Sequence, residues 1–241
     1  MKKYVIAVCV MVAIAAAGLY YYRSQTPPAG DTTTADSSQQ AAIPALPQPT
    51  PDRNAPNEGF PFQDTSMLKP PAGAKVAIFE FEDLECPACA HAAPVVHAAA
   101  ARYKVPLERH DYPWTFHVWS FDAAVTARYL QDKVSPQLAD EFRRDVFVNQ
   151  PRIVNKDDLT RFTRAWFQSH GQTMPFVIDP DGTCRNEVEA DRAMGDRLGV
   201  KSTPCILVVT QSNWVAVASP DQLDNILEDA IAKTGGQVPG V

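Results

Sequence analysis

The chain has 241 residues, of which 45% are hydrophobic and 21% are charged. These values suit one globular domain of ordinary size or two small ones, and they exclude a wholly disordered or collagen-like chain. The net charge of −6 at pH 7 provides no general attraction for nucleic acid, so we expect no nucleic-acid partner.

The first 23 residues have the pattern of a membrane segment. Lys2 and Lys3 precede an uncharged run at positions 4–22, and Arg23 closes it. The run is long enough to span a bilayer, and the amino-terminal lysines should keep that end in the cytoplasm. A cleaved signal peptide is the alternative, because three small alanines at positions 15–17 satisfy the cleavage rule.

Residues 24–71 have a different composition from the rest of the chain. They contain 10 of the 21 prolines, mixed with Thr, Ser, Gln and Ala. Such a composition is typical of an extended, disordered tether. The sequence therefore predicts a linker at 24–71 and one folded domain at 72–241.

A Cys-x-x-Cys motif follows the first apolar run of this domain. Residues 76–81 are predicted to form a buried strand, and a helix should begin at Cys86. At a helix amino terminus, unpaired N–H groups and the helix dipole stabilise a thiolate, and Pro87 is tolerated in the first turn. Cys89 lies one turn deeper on the same helix face, which permits a reversible disulfide between the two cysteines.

The alternative for this motif is half of a zinc site. Such a site needs two more ligands, and Cys184 and Cys205 are the sulfur donors left in the folded domain. Their separation is wrong for a second zinc knuckle, so we expect no metal.

The second half of the domain is predicted to begin with helices and end with strands. Apolar spacing indicates helices at 116–130, 137–148 and 158–170, and a further helix that begins near Cys184 and ends at Leu198 before Gly199. Strands are expected at 205–209 and 214–218, followed by a last helix from Ser219. Trp114, Trp119 and Trp166 are expected to be core residues.

Three segments resemble the DsbA-like branch of the thioredoxin superfamily: FEDLECPAC, Pro94 inside the first helix, and LGVKSTPCILVV. The resemblance runs from residue 75 to about residue 233. It implies an α/β thioredoxin-like fold with a helical insertion at about 115–199 and a redox-active pair, Cys86 and Cys89. It also implies a cis peptide bond before Pro204, with Thr203 offering backbone groups to an extended substrate strand.

The same resemblance gives Glu80 a catalytic role, the transfer of a proton for Cys89. An ionised carboxylate on an apolar strand is costly without a purpose, which agrees with that role. The alternative is an exposed acid at the strand end. We expect the neighbouring acids to be exposed or solvated: Glu82, Asp83 and Glu85.

Cys184 and Cys205 are predicted to form a second, structural disulfide. An oxidising compartment disfavours free thiols, and in the chain-entropy model a loop of this length would add about 3 kcal/mol of stability. The alternative is two buried thiols that are too far apart to bridge.

Together these features imply a thiol–disulfide oxidoreductase anchored in the bacterial inner membrane, with its domain in the periplasm or outside the cell. We expect it to oxidise extended or unfolded polypeptides that carry cysteine, without a cofactor, and to be reoxidised by a quinone-linked membrane oxidase. One alternative is a reductase or isomerase fed by a thiol reductant in the membrane. Another is a non-enzymatic peptide-binding module.

Overall fold

The computed structural model describes residues 62–237. The predicted anchor or signal peptide and most of the predicted linker lie outside these residues. Among the residues described, no helix is both long enough and apolar enough to cross a membrane.

A four-stranded sheet in the order β2-β1-β3-β4 is built around β1 (Val76–Glu82). β1 is parallel to β2 (Leu107–Asp111), and α1 (Pro87–Tyr103) connects the two. β3 (Cys205–Thr210) and β4 (Trp214–Ala216) each run antiparallel to their neighbour. Every residue of β1 is buried because strands flank it on both sides and helices or loops cover both its faces, which explains its nearly continuous apolar sequence.

The predicted helices are present, with shifted ends. The helix expected from residue 116 begins at Ser120, because the Glu85 carboxylate accepts the backbone N–H groups of Trp119 and Ser120 there. Gly199, in the left-handed conformation at φ 90°, ends the last helix before β3 as predicted. After α1, the helices are α2 (Ser120–Lys133), α3 (Pro136–Asn149), α4 (Lys156–Ser169), α5 (Thr183–Leu198) and α6 (Leu223–Lys233).

The two faces of the sheet bury different partners. On one face, Val76 and Ile78 pack with apolar residues of α1 and α6. On the other face, Phe79 and Phe81 pack with Leu198 at the end of α5. Side chains alternate along a strand, so Glu80 and Glu82 lie on the α1 face with Val76 and Ile78.

The folded part begins before residue 72, where the sequence placed the boundary. Leu68 is 3% exposed, and Phe62 and Met67 pack against the same cluster of the sheet. The backbone N–H of Gln63 also donates to the carbonyl of Leu198 at 2.9 Å. The sequence prediction missed this segment because its prolines suggested a linker, although three of its apolar side chains pack against the sheet.

Candidate active site

The Cys-x-x-Cys motif lies where β1 leads into α1, as the sequence predicted. Cys86 is the N-cap residue of α1, with Pro87 as the first helical residue, and Cys89 lies one turn further along. Both are free thiols, so the structure represents the dithiol form. Cys86 retains 9% of its surface and Cys89 none, which makes Cys86 the sulfur that a substrate can reach.

The two thiols have opposite acidities. A hydrogen bond from the Cys89 thiol, the Thr203 side chain and the N–H groups of Cys89 and Ala88 together lower the pKa of Cys86 to about 5, against the opposing effect of burial. Burial raises the pKa of Cys89 well above its ordinary value, and the neighbouring Cys86 raises it further. At neutral pH the pair therefore carries one negative charge, on the Cys86 sulfur.

Thr203 and Pro204 lie against Cys86, and the bond between them is cis, which confirms the sequence prediction. The Cys86 thiol donates to the Thr203 carbonyl oxygen at 3.3 Å. The Thr203 hydroxyl oxygen accepts the indole N–H of Trp114 at 2.9 Å. Thr203 is 8% exposed, so both of its polar groups act in a largely water-free setting.

Asp83 is a buried hub beneath the motif. It is 1% exposed, and its carboxylate accepts the backbone N–H groups of Glu85 and Trp114, each at 2.7 Å. The same carboxylate binds the Ser120 hydroxyl and lies 2.7 Å from Nδ1 of His117. Asp83 thus ties the active-site turn to the loop between β2 and α2.

Glu80 is fully buried on β1, and neither of its carboxylate oxygens has a hydrogen-bond partner. Burial raises the pKa of Glu80 to about 8, and the nearby charge of Glu82 adds to this rise. A buried carboxyl group with such a pKa is protonated at neutral pH and can release its proton near pH 8. Its predicted role in proton transfer for Cys89 stays a prediction.

Glu82 belongs to a buried ion-pair network, so the sequence interpretation of Glu82 as exposed is wrong. Arg143 of α3 donates to Glu82 at 2.8 Å and to Asp111 at 2.6 and 2.9 Å. Burial opposes the ionisation of Asp111, but the guanidinium groups of Arg143 and Arg128 outweigh it and lower the pKa of Asp111 to about 2. This network joins the helical insertion to the sheet directly below the motif.

The sequence model of the family described as thioredoxin matches residues 65–229. The chain belongs to the thioredoxin family. The match includes the Cys-x-x-Cys turn, the helical insertion and the Thr203–Pro204 bond. No curated protein sequence matches the chain.

Three solved structures share the fold of this thioredoxin-family chain. Oxidised BdbD from Bacillus subtilis matches with a TM-score of 0.55 and 18% identity, covering 73% of this chain and 97% of that one. α-DsbA1 from Wolbachia pipientis matches with a TM-score of 0.55 and 15% identity, and the match covers 67% of this chain and 88% of that one. The catalytic domain of Proteus mirabilis ScsC matches with a TM-score of 0.53 and 16% identity, and the match covers 66% of this chain and 85% of that one. At such low identity these likenesses establish a shared fold, the thioredoxin-like fold with a helical insertion.

The predicted bridge between Cys184 and Cys205 is not formed in this thioredoxin fold. Both are free thiols. Cys184 is buried between α2 and α5 with Val125 and Val188, whereas Cys205 packs against the cluster on the Phe81 face of the sheet. The two thiols are held in separate apolar clusters without a bridge, with Cys184 fully buried and Cys205 half-buried.

One group of possible metal ligands is present among residues 62–237, away from the motif. Donor atoms of Asp132, Cys184 and Glu187 lie within 4.8 Å of one another. Burial and the neighbouring Asp132 carboxyl group raise the pKa of Glu187.

Besides Glu82 and Asp83, which were expected to be exposed and are buried, three residues of the site were missed or misjudged from the sequence. Gln150, just after α3, donates from its side-chain amide to the carbonyls of Leu84 and Cys86 at 2.8 and 3.1 Å. Glu85, expected to be solvated, caps α2. Trp114, expected in the core, is half-buried beside Thr203, whereas Trp119 and Trp166 are buried as predicted.

Proposed function

We propose that this protein is a thiol–disulfide oxidoreductase that oxidises pairs of cysteines in polypeptide substrates. The observation that carries the proposal is the acidity difference between the two thiols, with the pKa of Cys86 lowered to about 5 and that of Cys89 raised. A binding module would need no such pair. Cys86 lies next to the Thr203–Pro204 bond, so a substrate strand bound along Thr203 would lie beside the reactive sulfur.

The first step starts from the Cys86–Cys89 disulfide. A substrate thiolate attacks Sγ of Cys86, the more exposed sulfur, and forms a mixed disulfide while the bond to Cys89 breaks. The electron pair of that bond goes to Cys89. Because its pKa is raised, the Cys89 sulfur then takes up a proton, for which the buried Glu80 carboxyl is the proposed donor.

The second step releases the product. A second substrate thiolate attacks the substrate sulfur of the mixed disulfide, and the electron pair returns to Cys86 as a thiolate. The substrate loses two electrons and gains a disulfide, and the protein is left with the Cys86 thiolate and the Cys89 thiol. A low leaving-group pKa accelerates this step and stabilises the reduced protein.

The substrate is proposed to be an extended or unfolded polypeptide segment. The main chain at Thr203 leads directly into β3, so a substrate strand laid there can form backbone hydrogen bonds beside the Cys86 sulfur. Backbone recognition of this kind is tolerant of sequence. The cysteine of the substrate, presented in an extended segment, would be the main requirement.

The direction of electron flow is proposed from the same acidity. Redox potentials on this fold range from about −270 to about −120 mV, and about 30 mV corresponds to 1.4 kcal/mol. A Cys86 thiolate that is stable down to about pH 5 favours the reduced form and hence the oxidising end of that range. The reductase or isomerase of the same fold is the competing direction.

We further propose an extracytoplasmic location and a membrane partner. The support is the sequence of the first 23 residues, with its two lysines before an uncharged run that is long enough for a bilayer. Outside the cytoplasm an oxidant can keep the pair oxidised. A quinone-linked membrane oxidase that accepts electrons from Cys86 and Cys89 would regenerate the protein after each turnover.

The test uses the full-length chain in its oxidised form with a peptide that carries two thiols. We expect one substrate disulfide per protein and a redox potential, from equilibration with glutathione, nearer −120 than −270 mV. Cys86→Ser and Cys89→Ser should abolish catalytic turnover. Cys184→Ser is the matched control, because that thiol is fully buried between α2 and α5, and it should leave turnover unchanged.

Two outcomes would contradict the proposal. A potential near −270 mV, with faster reduction of disulfide peptides than oxidation of dithiols, would indicate the reductase. Unchanged activity in the Cys86→Ser variant would show that the motif is not the reactive centre.

A further inference from the structure

Trp114 lies in the loop between β2 and α2 and reaches the loop that carries the cis bond. Its indole N–H donates to Oγ1 of Thr203 at 2.9 Å, between residues 89 positions apart. The indole is half-buried, stacks on Phe116 at 5.6 Å and meets the edge of Tyr112 at 5.0 Å. These rings leave the indole little freedom to turn away from Thr203.

The chemistry of a hydroxyl group makes this contact directional. A threonine hydroxyl has one proton to donate and two lone pairs, whereas an indole N–H can only donate. The Trp114 bond therefore fills a lone pair and leaves the hydroxyl proton available. The Thr203 side chain also lowers the pKa of Cys86, whose sulfur lies 3.3 Å from the Thr203 carbonyl oxygen. As a thiolate, this sulfur can accept a hydrogen bond from the hydroxyl group.

The indole is fixed relative to the motif from a second side. The backbone N–H of Trp114 donates to Oδ2 of Asp83 at 2.7 Å, and the backbone N–H of Asp83 donates to Sγ of Cys89 at 3.4 Å. Asp83 and Thr203 are both nearly fully buried, so water competes little for these bonds. The tryptophan thus spans the gap between the cysteine turn and the loop with the cis bond.

We propose that Trp114 is a positioning residue for thiol–disulfide exchange: its indole N–H orients the Thr203 hydroxyl so that this hydroxyl donates to the Cys86 thiolate. The inference rests on the proposed function and extends it to a residue outside the motif. When the mixed disulfide breaks, the electron pair goes to the Cys86 sulfur. The oriented hydroxyl then stabilises the new negative charge without transferring its proton.

The test is the Trp114→Phe variant of the full-length chain, which removes the N–H and retains an aromatic ring for Tyr112 and Phe116. We expect the pKa of Cys86, measured from the pH dependence of alkylation, to rise by roughly half a unit to one unit. Release of a peptide from the mixed disulfide should become up to about threefold slower, because a higher leaving-group pKa slows exchange by less than the tenfold change in acidity per pKa unit.

Trp166→Phe is the matched control. Its indole N–H also donates to a single side-chain acceptor, Oδ2 of Asp145 at 2.8 Å, in the helical insertion. Both variants lose one indole hydrogen bond of similar length. Only Trp114→Phe should change the pKa of Cys86 and the release rate.

A double-mutant cycle with Thr203→Val tests the route of the effect. This substitution removes the hydroxyl group and keeps the backbone carbonyl that Cys86 contacts. If Trp114 acts through the hydroxyl, adding Trp114→Phe to Thr203→Val should change the pKa of Cys86 no further. Fully additive effects would overturn the inference, and so would an unchanged pKa in Trp114→Phe.

The design separates this inference from the proposed function. Alkylation of Cys86 needs no substrate, so the pKa change measures the bond between Trp114 and Thr203 even if dithiol peptides are not oxidised. A wild-type chain without oxidase activity but with the expected pKa changes would contradict the function alone. Thr203→Val alone still measures the contribution of the hydroxyl if Trp114→Phe fails to fold, and an unchanged pKa there would overturn the inference.

Discussion

The backbone N–H of Asp83 points at Cys89 and lies 3.4 Å from its Sγ atom. This is the only polar backbone contact that the structure gives the buried sulfur within residues 62–237, and it comes from the residue that follows β1. The contact stabilises negative charge on Cys89, but burial outweighs it and keeps the pKa of Cys89 raised. Cys89 therefore holds its proton and donates its thiol hydrogen bond to Cys86.

This relationship predicts the effect of removing the buried sulfur. Cys89→Ala deletes the largest single contribution that lowers the pKa of Cys86, while the Thr203 side chain and the Ala88 N–H remain. We expect the pKa of Cys86 to rise from about 5 by roughly one unit or more. Thiolate absorbance at 240 nm as a function of pH measures it. If the pKa of Cys86 stays near 5, the helix amino terminus lowers it without a contribution from the Cys89 thiol.

A second prediction links this acidity to stability. The pKa of Cys86 is lowered to about 5 on folding from an ordinary value of 9.0, so the thiolate adds stability to the reduced protein above pH 5. The contribution grows as the pH rises towards 9 and is lost as the pH falls through 5. At pH 7 it amounts to at most about 3 kcal/mol, and to less where solvent screens the sulfur.

Thermal melts of the reduced and oxidised forms measure this difference, because the disulfide form has no thiolate. We expect the reduced form to melt at the higher temperature at pH 7, and the gap to close towards pH 4. Cys86→Ser provides the control without the thiolate, and its melts should lack this pH dependence. A higher melting temperature for the oxidised form at pH 7 would support the reductase direction instead.

The motif and the cis bond could be predicted because their signals are local in the sequence. Cys86, Pro87 and Cys89 occupy four consecutive positions, and the physical effect of a helix amino terminus needs only these neighbours. The cis bond at Pro204 came from a resemblance of the residues around it. The structure contains both features as predicted.

The buried acids could not be placed in the same way, because their partners come from distant segments. Glu82 and Arg143 are 61 positions apart, and Asp83 and His117 are 34 apart. When the partners are unknown, a run of acidic residues after a strand is predicted to be solvent-exposed, because burying an unpaired charge is costly. The predicted Cys184–Cys205 bridge is absent for a related reason. An oxidising compartment favours disulfides in general, but it does not determine which two cysteines the fold brings together.

A third prediction concerns Asp83, whose carboxylate accepts hydrogen bonds from donor groups that include two backbone N–H groups. In Asp83→Asn an amide NH₂ replaces one oxygen and faces a donor, so the N–H of Glu85 or of Trp114 loses its acceptor. We expect a loss of about 2 kcal/mol or more in the free energy of unfolding, measured with urea. Asp64→Asn is the control, because that exposed carboxylate accepts hydrogen bonds from Ser66 in its own turn and its substitution should cost much less.

The same substitution should also disturb exchange, since Asp83 positions the backbone of Trp114. We expect the pKa of Cys86 to rise together with the loss of stability. A destabilised Asp83→Asn protein with an unchanged Cys86 pKa would restrict Asp83 to a structural role.

The last prediction contrasts the two acids on the α1 face of β1. Burial raises the pKa of Glu80 to about 8, so between its ordinary 4.5 and 8 the folded state loses stability as the pH rises. Glu80→Gln should therefore stabilise the protein by about 2 to 3 kcal/mol at pH 7 and by little near pH 4. Glu82→Gln should instead destabilise it by about 3 kcal/mol, because it removes a charged partner of the buried Arg143.

Rapid-mixing kinetics then separates stability from proton transfer. If the Glu80 carboxyl supplies the proton that Cys89 takes up, the more stable Glu80→Gln protein should form the mixed disulfide at least tenfold more slowly at pH 7. Its rate should also lose the titration near pH 8. Greater stability together with a wild-type rate at every pH would show that the proton reaches Cys89 by another route, and Glu80 would then be an unpaired buried acid without a catalytic role.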